Sequence, residues 1–187
     1  MNDDNQLIDL ALAGDSAAFG QLVTKYQDRL YNTLVYVIGS AEDARDVAQE
    51  AFVRAFVKLE TFQRSAAFYS WLYRIALNMA ISGQRRKRPT SSIDQARHLA
   101  GEEPQDDGPP PEERLERQER AEQVRAALAA LSEDYRVVLV LRDMDGHAYD
   151  EIAQMLEIPV GTVRSRLFRG RMQLREQLKE VLQEDRP

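Results

Sequence analysis

The chain has 187 residues, of which 43% are hydrophobic, so it is long enough for one or two domains with buried cores. Its 25 basic and 31 acidic side chains give a net charge of -6, which argues against a protein that holds DNA by charge alone. The absence of cysteine excludes disulfides and thiolate metal sites, and no apolar run is long enough to span a membrane. The acidic N-terminus lacks the layout of a signal peptide, so a cytoplasmic protein is predicted.

Helical periodicity predicts that the first half of the chain is helical. Residues 3 to 13 suggest a short opening helix, and Asp15 or Ser16 is placed to cap a long second helix that ends at Gly39. Ser40 opens a third helix, AEDARDVAQEAFVRAFVKLETF. Apolar residues at helical spacing predict its inner face. These are Val47, Ala48, Ala51, Phe52, Ala55, Phe56 and Leu59.

The opposite face of the third helix is polar and charged. It carries Asp43, Asp46, Gln49, Glu50 and Arg54. A face of this kind is usually an ordinary solvated surface, and a docking surface for a partner helix is the alternative interpretation. The pattern by itself does not decide between them.

A block rich in aromatic and basic residues follows. Phe62 lies in a predicted loop, and a fourth helix then carries Phe68, Trp71 and Leu72 on its apolar stripe, which we assign to the core. Rings beside cations suit single-stranded nucleic acid, because bases stack on the rings while the charges follow the phosphates. Gly83 is expected to loosen the helix before its basic end. The candidate contacts are Phe62, Arg74, Asn78, Arg85, Arg86, Lys87 and Arg88.

Residues 89–111 are predicted to be a flexible acidic linker. The segment is polar, contains three consecutive prolines and has hardly any apolar periodicity. It divides the chain into a first domain of residues 1–88 and a second of residues 112–187. In the second domain Leu115, Val124, Leu128 and Leu131 mark one helix, and Ser132 can cap the next, which is expected to stop at Gly146.

The stretch YDEIAQMLEIPVGTVRSRLFRGR, residues 149–171, reads as two short helices joined by a tight turn. Pro159 interrupts the first helix, and Val163, Leu167, Gly170 and Leu174 form the buried stripe of the second. Ser165, Arg166 and Arg169 are then expected to project away from the core, flanked by Arg164 and Arg171. Such a helix-turn-helix suits a DNA major groove, where arginine can pair with guanine. A merely solvated arginine-rich face is the alternative.

Residues that would support enzyme chemistry are few. His98 and His147 are far apart in the sequence, and the one-turn spacing of His147 and Glu151 lacks a second histidine for a metal. Turn formation explains the paired carboxylates Asp143 and Asp145 beside Gly146. We therefore predict no enzyme activity, metal, cofactor or small-molecule substrate.

In this order and spacing, three blocks resemble the extracytoplasmic-function group of bacterial sigma factors. They are DARDVAQEAFVRAF, AFYSWLYRIALNMA, and the run from LSEDYRVVLVLRDMDG through the helix-turn-helix. The resemblance covers almost everything except the linker. It implies an all-α fold of two small helical domains, the second with a helix-turn-helix. It also implies a transcription initiation factor that binds core RNA polymerase and promoter DNA and is controlled by an anti-sigma factor.

The resemblance also assigns roles to residues. Asp43, Asp46, Gln49, Glu50 and Arg54 would contact the polymerase. The block from Phe62 to Arg88 would read and melt the -10 element, with Phe62 and Asn78 lining a pocket for a flipped base. The -35 element would be read from the second helix of the turn motif, by Thr162, Arg164, Ser165, Arg166, Phe168, Arg169 and Arg171. Because Ala148 stands where the family usually has a hydroxylated cap, another group is expected to cap that helix.

Two other functions remain open from the residues alone. The chain could be a stand-alone regulator that binds DNA through residues 149–171 and dimerises or senses a ligand through its first half. It could also be an interaction protein that sequesters partners. Only the sigma interpretation assigns a function to both the charged third helix and the aromatic, basic block.

Overall fold

The computed structural model describes the backbone of residues 3–87 and 111–184 and the side chains of residues 4–82 and 119–179. Within these ranges all regular structure is helical, which confirms the predicted all-α class. No described helix is long and apolar enough to cross a membrane. The helices are α1 (Asp3–Leu12), α2 (Ser16–Ile38), α3 (Ala41–Val57), α4 (Phe68–Lys87), α5 (Pro111–Ala130), α6 (Glu133–Leu139), α7 (Tyr149–Leu156) and α8 (Val160–Glu184).

The first unit contains α1 to α4, and local capping chemistry sets its helix boundaries. The Asp15 carboxylate accepts a hydrogen bond from the Ala17 amide at 2.9 Å, which settles which residue caps α2. Gly39 ends α2 in the left-handed conformation, with φ of 81°, where glycine meets no Cβ penalty. The Ser40 hydroxyl accepts from the Asp43 amide at 3.2 Å and starts α3.

The third helix is shorter than predicted. α3 ends at Val57, and a single 3-10 turn, Leu59–Thr61, follows it. The tighter turn directs Leu59 into the core, where it is only 3% exposed. Phe56 was expected on the inner face but is 47% exposed, because Ala55, one residue earlier, occupies the centre of the buried stripe.

The fourth helix confirms the predicted core and corrects one expectation. Phe68, Trp71 and Leu72 are all buried. The backbone of α4 continues without a break through Gly83 as far as Lys87, so glycine does not interrupt the helix there. Of the basic run, Arg88 lies outside the described residues, as do all predicted linker positions before Pro111.

The second unit contains α5 to α8. Pro111 begins α5 rather than ending the linker, and proline suits a first helical position because its missing amide hydrogen has no partner to lose there. Ser132 stands at the N-cap of α6, but its side chain makes no capping hydrogen bond. A π-helical turn, Val140–Met144, extends α6, and Gly146, with φ of 77°, then reverses the chain as predicted. The domain boundaries themselves stay predictions.

The helix-turn-helix has the predicted layout. Ala148 offers no side-chain acceptor, but its own amide donates to the Glu151 carboxylate at 2.8 Å, so Glu151 supplies half of a capping box. Glu157 ends α7 in the left-handed conformation, with φ of 55°. Val163 and Leu167 of α8 are fully buried, which confirms the predicted stripe.

Candidate functional site

An apolar groove of about 740 Å³ runs between α2 and α3. We call it the α2–α3 groove. Its floor includes Phe19 and Phe52, while Val53 and Phe56 stand on its rim with 57% and 47% of their surfaces exposed. Large apolar side chains this exposed in one place are typical of a protein interaction site. The groove leaves no clear signal in the sequence, because the helical spacing of Phe56 predicts a core position.

The polar and charged residues of α3 lie on two different sides of the helix. Gln49 lines the α2–α3 groove, and Asp46 and Glu50 are exposed on the same helix. Arg54 pairs with Glu50 at 2.8 Å and faces away from the groove, toward a second cavity beside α4. The predicted polymerase contacts are therefore not a single patch, since Arg54 lies on the other side of α3.

The second cavity, of about 670 Å³, lies along α4. We call it the α4 cavity. Trp71, Arg74 and Asn78 of α4 line it together with Arg54, and Asn78 is exposed. Glu157 of α7 reaches into it from the second unit, and its carboxylate lies 3.3 Å from the Arg74 guanidinium. The cavity thus joins aromatic, amide and cationic groups, which can stack on a base, hydrogen-bond to its edge and pair with phosphate.

Phe62 is held by aromatic neighbours. It is half-buried, with its ring centroid 5.2 Å from that of Trp71 and 5.8 Å from that of Phe68 in an edge-on arrangement. Its ring therefore supports Trp71, which itself lines the α4 cavity. A direct base contact by Phe62 stays a prediction. The side chains of Arg85, Arg86, Lys87 and Arg88 lie outside the described ones.

The outer face of α8 carries the predicted DNA contacts. Arg164, Ser165, Phe168 and Arg169 are exposed, and Phe168 keeps 68% of its surface open. The Ser165 hydroxyl donates to the carbonyl of Thr162 at 3.0 Å, so Ser165 is turned back along its own helix. An exposed helix surface with two arginines and an aromatic ring can enter a major groove.

Two further arginines of α8 are bound to carboxylates from the preceding helical segment. Arg166 was expected to project away from the core, but it is half-buried and pairs with Asp134 at 3.1 Å. Arg171 donates two hydrogen bonds to Asp143, at 3.0 and 2.5 Å, and these raise the pKa of its guanidinium. Asp143 is thus more than a turn residue. These two arginines fix α8 against α6 and the π-helical turn.

The two units contact each other through Asp145, so this residue does more than form the predicted turn. Thr33 of α2 donates to its carboxylate at 2.7 Å, and Arg29 donates to its main-chain carbonyl at 2.9 Å. The Tyr73 hydroxyl lies 2.5 Å from the Thr33 hydroxyl. Burial, then the nearby Asp145 charge, raises the pKa of Tyr73, so the phenol stays protonated as a donor.

His147 is buried at the same junction. Its ring stacks on Tyr69 with centroids 5.2 Å apart, and Nδ1 lies 3.5 Å from the Glu151 carboxylate. Burial, followed by the Arg29 charge, lowers the pKa of His147. No cluster of three or more metal-ligating side chains occurs among the described residues. The His147–Glu151 spacing is therefore explained by packing and capping.

Comparisons with known proteins agree with this arrangement. Residues 22–90 match the family described as sigma-70 region 2, and residues 121–174 match sigma-70, region 4. The chain is 39% identical to the RNA polymerase sigma-H factor of Pseudomonas aeruginosa, over 97% of this chain and 96% of that protein. It is 37% identical to the ECF RNA polymerase sigma factor SigW of Bacillus subtilis, over 90% and 92%.

A solved structure is also similar. CnrH in complex with the cytosolic domain of CnrY superposes with a TM-score of 0.67 at 28% identity, covering 99% of this chain and 100% of that one. The fold, both family matches and the relatives therefore all indicate a sigma factor. The chain belongs to the sigma-70 family, as an RNA polymerase sigma factor of the extracytoplasmic-function group.

Proposed function

We propose that the chain directs core RNA polymerase to promoters by reading the -35 element with α8 and opening the -10 element with α4. The observation that carries this proposal is the presence of three chemically different surfaces on one small chain: the α2–α3 groove, the α4 cavity and the outer face of α8. A stand-alone DNA-binding regulator that dimerises or senses a ligand through its first half would use the last surface and only one of the other two. In this proposal residues 1–88 act as region 2, residues 112–187 as region 4, and residues 89–111 as the linker.

We propose that core polymerase docks on α3. Asp43, Asp46, Gln49 and Glu50 would surround an apolar centre supplied by Val53 and Phe56. An apolar centre with a charged rim is the usual anatomy of a protein interface, since the centre excludes water while the rim selects the partner. Arg54, on the far side of the helix, would instead support the α4 cavity.

The α4 cavity would hold a base flipped out of the -10 element. Extruding one base costs a few kcal/mol, so a pocket that stabilises only the right base couples strand opening to sequence. Asn78 would contact the base edge, Trp71 and Phe62 would form the aromatic wall, and Arg74 would follow the backbone. The basic run 85–88 would continue this track along the phosphates.

The -35 element would be read by Arg164, Arg169 and Phe168 on the exposed face of α8, with Thr162 and Ser165 beside them. Arg166 and Arg171 would contribute indirectly, because their carboxylate partners hold the helix in place. With a net charge of -6, the chain has too few DNA contacts for tight binding alone. Affinity would come from polymerase holding two weak readers at a fixed separation.

Restraint by an anti-sigma protein is part of the proposal. The similar protein CnrH was solved with the cytosolic domain of CnrY, which supports control by a bound protein. The chain would act in the cytoplasm, where polymerase and promoters are, without inserting in the membrane. It would act as a binding factor, without an enzyme activity, cofactor or small-molecule substrate of its own.

The test mixes the purified chain with core RNA polymerase and a library of random promoters. We expect transcripts only when chain and core are both present. Asp46→Arg is expected to weaken core binding about tenfold, or 1.4 kcal/mol, because it reverses a charge on the docking helix. Glu60→Arg makes the same charge change at an exposed position of the same unit outside the groove, and serves as the matched control.

Tight promoter binding by the chain alone, without initiation that depends on core, would exclude the sigma role. Unchanged core affinity of Asp46→Arg, with initiation intact, would remove only the docking surface. An equal loss in Glu60→Arg would assign the effect to net charge rather than to α3.

A further inference from the structure

The loop that precedes α4 is fixed by main-chain hydrogen bonds at both ends. It comprises residues 62–67, and we call it the 62–67 loop. At its start the Phe62 amide donates to the carbonyl of Leu59 at 3.1 Å, and at its end the Ala67 carbonyl accepts from the Trp71 amide at 3.2 Å. The three residues that follow Phe62 are exposed, so packing against the core does not hold the middle of the loop.

The middle of the loop is joined to α1 by an ion pair. The Arg64 guanidinium donates to both carboxylate oxygens of Asp9, with Nη1 3.3 Å from Oδ2. The hydrogen bond from Arg64 lowers the pKa of Asp9, so the carboxylate is ionised at neutral pH. Two parallel hydrogen bonds between a guanidinium and a carboxylate fix orientation as well as distance. The pair therefore sets the position of the loop relative to α1.

The helix that carries Asp9 is itself held firmly. Ile8, the preceding residue, is only 1% exposed and belongs to the core of the first unit. The buried carboxylate of Asp4 accepts hydrogen bonds from the Lys25 ammonium and the Tyr26 hydroxyl of α2. Because α1 cannot shift without breaking these contacts, Asp9 is a fixed support for the loop.

A cavity of about 560 Å³ lies beside the loop. Gln63 and Ser65, the neighbours of Arg64, line this cavity together with Trp71 and Arg74, which also line the α4 cavity. An amide and a hydroxyl can form hydrogen bonds to the edges of bases. Loops that can rearrange accept different ligands, so a loop without its support would discriminate less between bases.

We propose that Asp9 is a positioning residue, which holds the 62–67 loop through Arg64 so that Gln63 and Ser65 discriminate between unpaired bases of the -10 strand. In this role Asp9 acts through Arg64 and does not itself contact the strand. An exposed ion pair contributes little to stability, so its effect is on selectivity rather than on folding. This inference rests on the proposed function, since it assigns the melted strand to α4.

A double-mutant cycle with Asp9→Asn and Arg64→Gln tests this role. Holoenzymes assembled from each purified chain and core polymerase initiate on linear promoters that carry either the preferred -10 sequence or one changed base in the melted strand. The ratio of the two rates measures selectivity. Glu60→Gln also removes one negative charge from an exposed position of the first unit, and serves as the matched control. Core affinity and urea unfolding are measured for every variant.

We expect Asp9→Asn to lower the selectivity ratio about twofold to fivefold, which is the range of an exposed ion pair. Core affinity and stability should not change, and Glu60→Gln should keep the wild-type ratio. Because Asp9 and Arg64 act as one pair, Arg64→Gln should have the same effect. The double variant should then lose no more selectivity than either single variant.

An unchanged ratio in Asp9→Asn would overturn the positioning role. Additive losses in the double variant would also overturn it, because they would show that Arg64 acts on the DNA directly. A loss of stability or core affinity in parallel with selectivity would assign Asp9 a structural role instead, and an equal loss in Glu60→Gln would assign the effect to net charge. If the wild-type holoenzyme does not distinguish bases in the melted strand, the proposed function itself is wrong.

Discussion

At the scale of single residues, the arginines of α8 differ in role although the sequence presents them as one motif. Arg166 and Arg171 are held by Asp134 and Asp143, whereas Arg169 is exposed on the outer face. An arginine already bound to a carboxylate has fewer donors for a base. The exposed Arg169 is therefore the better candidate for reading sequence.

Arg169→Ala is expected to relax selectivity at one base of the -35 element by about 1 to 3 kcal/mol, because a bidentate contact to guanine discriminates by that amount. The measurement is initiation by the holoenzyme on promoters varied at each upstream base. Arg175→Ala is the control, since it removes the same charge from an exposed position farther along α8. An equal loss on every sequence would show that Arg169 contacts phosphate only.

His147 predicts a pH dependence of stability. Burial lowers its pKa in the folded chain below the ordinary value of 6.5, so the unfolded chain takes up the proton more readily. The free energy of unfolding is thus unaffected by this group above about pH 6.5 and decreases as the pH falls below that value toward the folded pKa. The groups around His147 are Tyr69, Tyr73, Arg29, Arg142, Asp145 and Glu151.

Urea unfolding of the wild-type chain and of His147→Gln at pH 7.5 and pH 5.5 measures this effect. Glutamine does not titrate, so the difference in stability between the two proteins isolates His147 from the carboxylates that both share. We expect this difference to shift in favour of the variant at the lower pH. A difference that does not change with pH would mean that burial does not hold the imidazole neutral.

At the scale of secondary structure, α8 packs on α6 closely enough to require a glycine. A Cβ built at Gly170 would lie 3.1 Å from side-chain atoms of both Tyr135 and Leu139. Gly170→Ala is therefore expected to destabilise the chain by about 1 to 3 kcal/mol, as overpacking a core does. Gly161→Ala, in the first turn of the same helix, meets nothing within 4 Å and should gain up to about 1 kcal/mol from helix propensity.

Chemical denaturation of both variants separates packing from propensity. If Gly170→Ala were as stable as Gly161→Ala, the two helices would have room to move apart. The close approach of α6 would then not require a glycine at position 170. The comparison holds helix and substitution constant, so the neighbouring helix is the main difference.

Local features were the ones that sequence could predict. The caps at Asp15, Ser40 and Gly39 depend on atoms within three or four residues, and their positions follow from residue type. The end of α3 was misplaced because the burial of Leu59 decides it. The partners of Arg166 and Arg171 were missed because a bond between distant residues leaves no periodic signal. The α2–α3 groove was not predicted either, because it forms between residues that belong to two helices and are distant in the sequence.

At the scale of the whole molecule, the contact between the two units joins parts of the chain that the sequence presents as separate. Asp145 and Glu157 lie on either side of the first helix of the turn motif, yet their partners are on α2 and α4. Thr33 and Arg29 of α2 both bond to Asp145, so the two units stabilise each other where they meet. A change that removes a bond of this junction should therefore lower the stability of the chain.

Arg29→Ala is the change that tests this coupling. It removes the hydrogen bond to Asp145 and the guanidinium that lies 4.4 Å from the centre of the Tyr69 ring, both within the junction. Losing these contacts should lower the free energy of unfolding, measured in urea, by about 0.5 to 1.5 kcal/mol. Gln21→Ala, at an exposed position on the same helix, should leave the free energy of unfolding unchanged. If Arg29→Ala is as stable as Gln21→Ala, the bonds of Arg29 at the junction contribute nothing to holding the two units together.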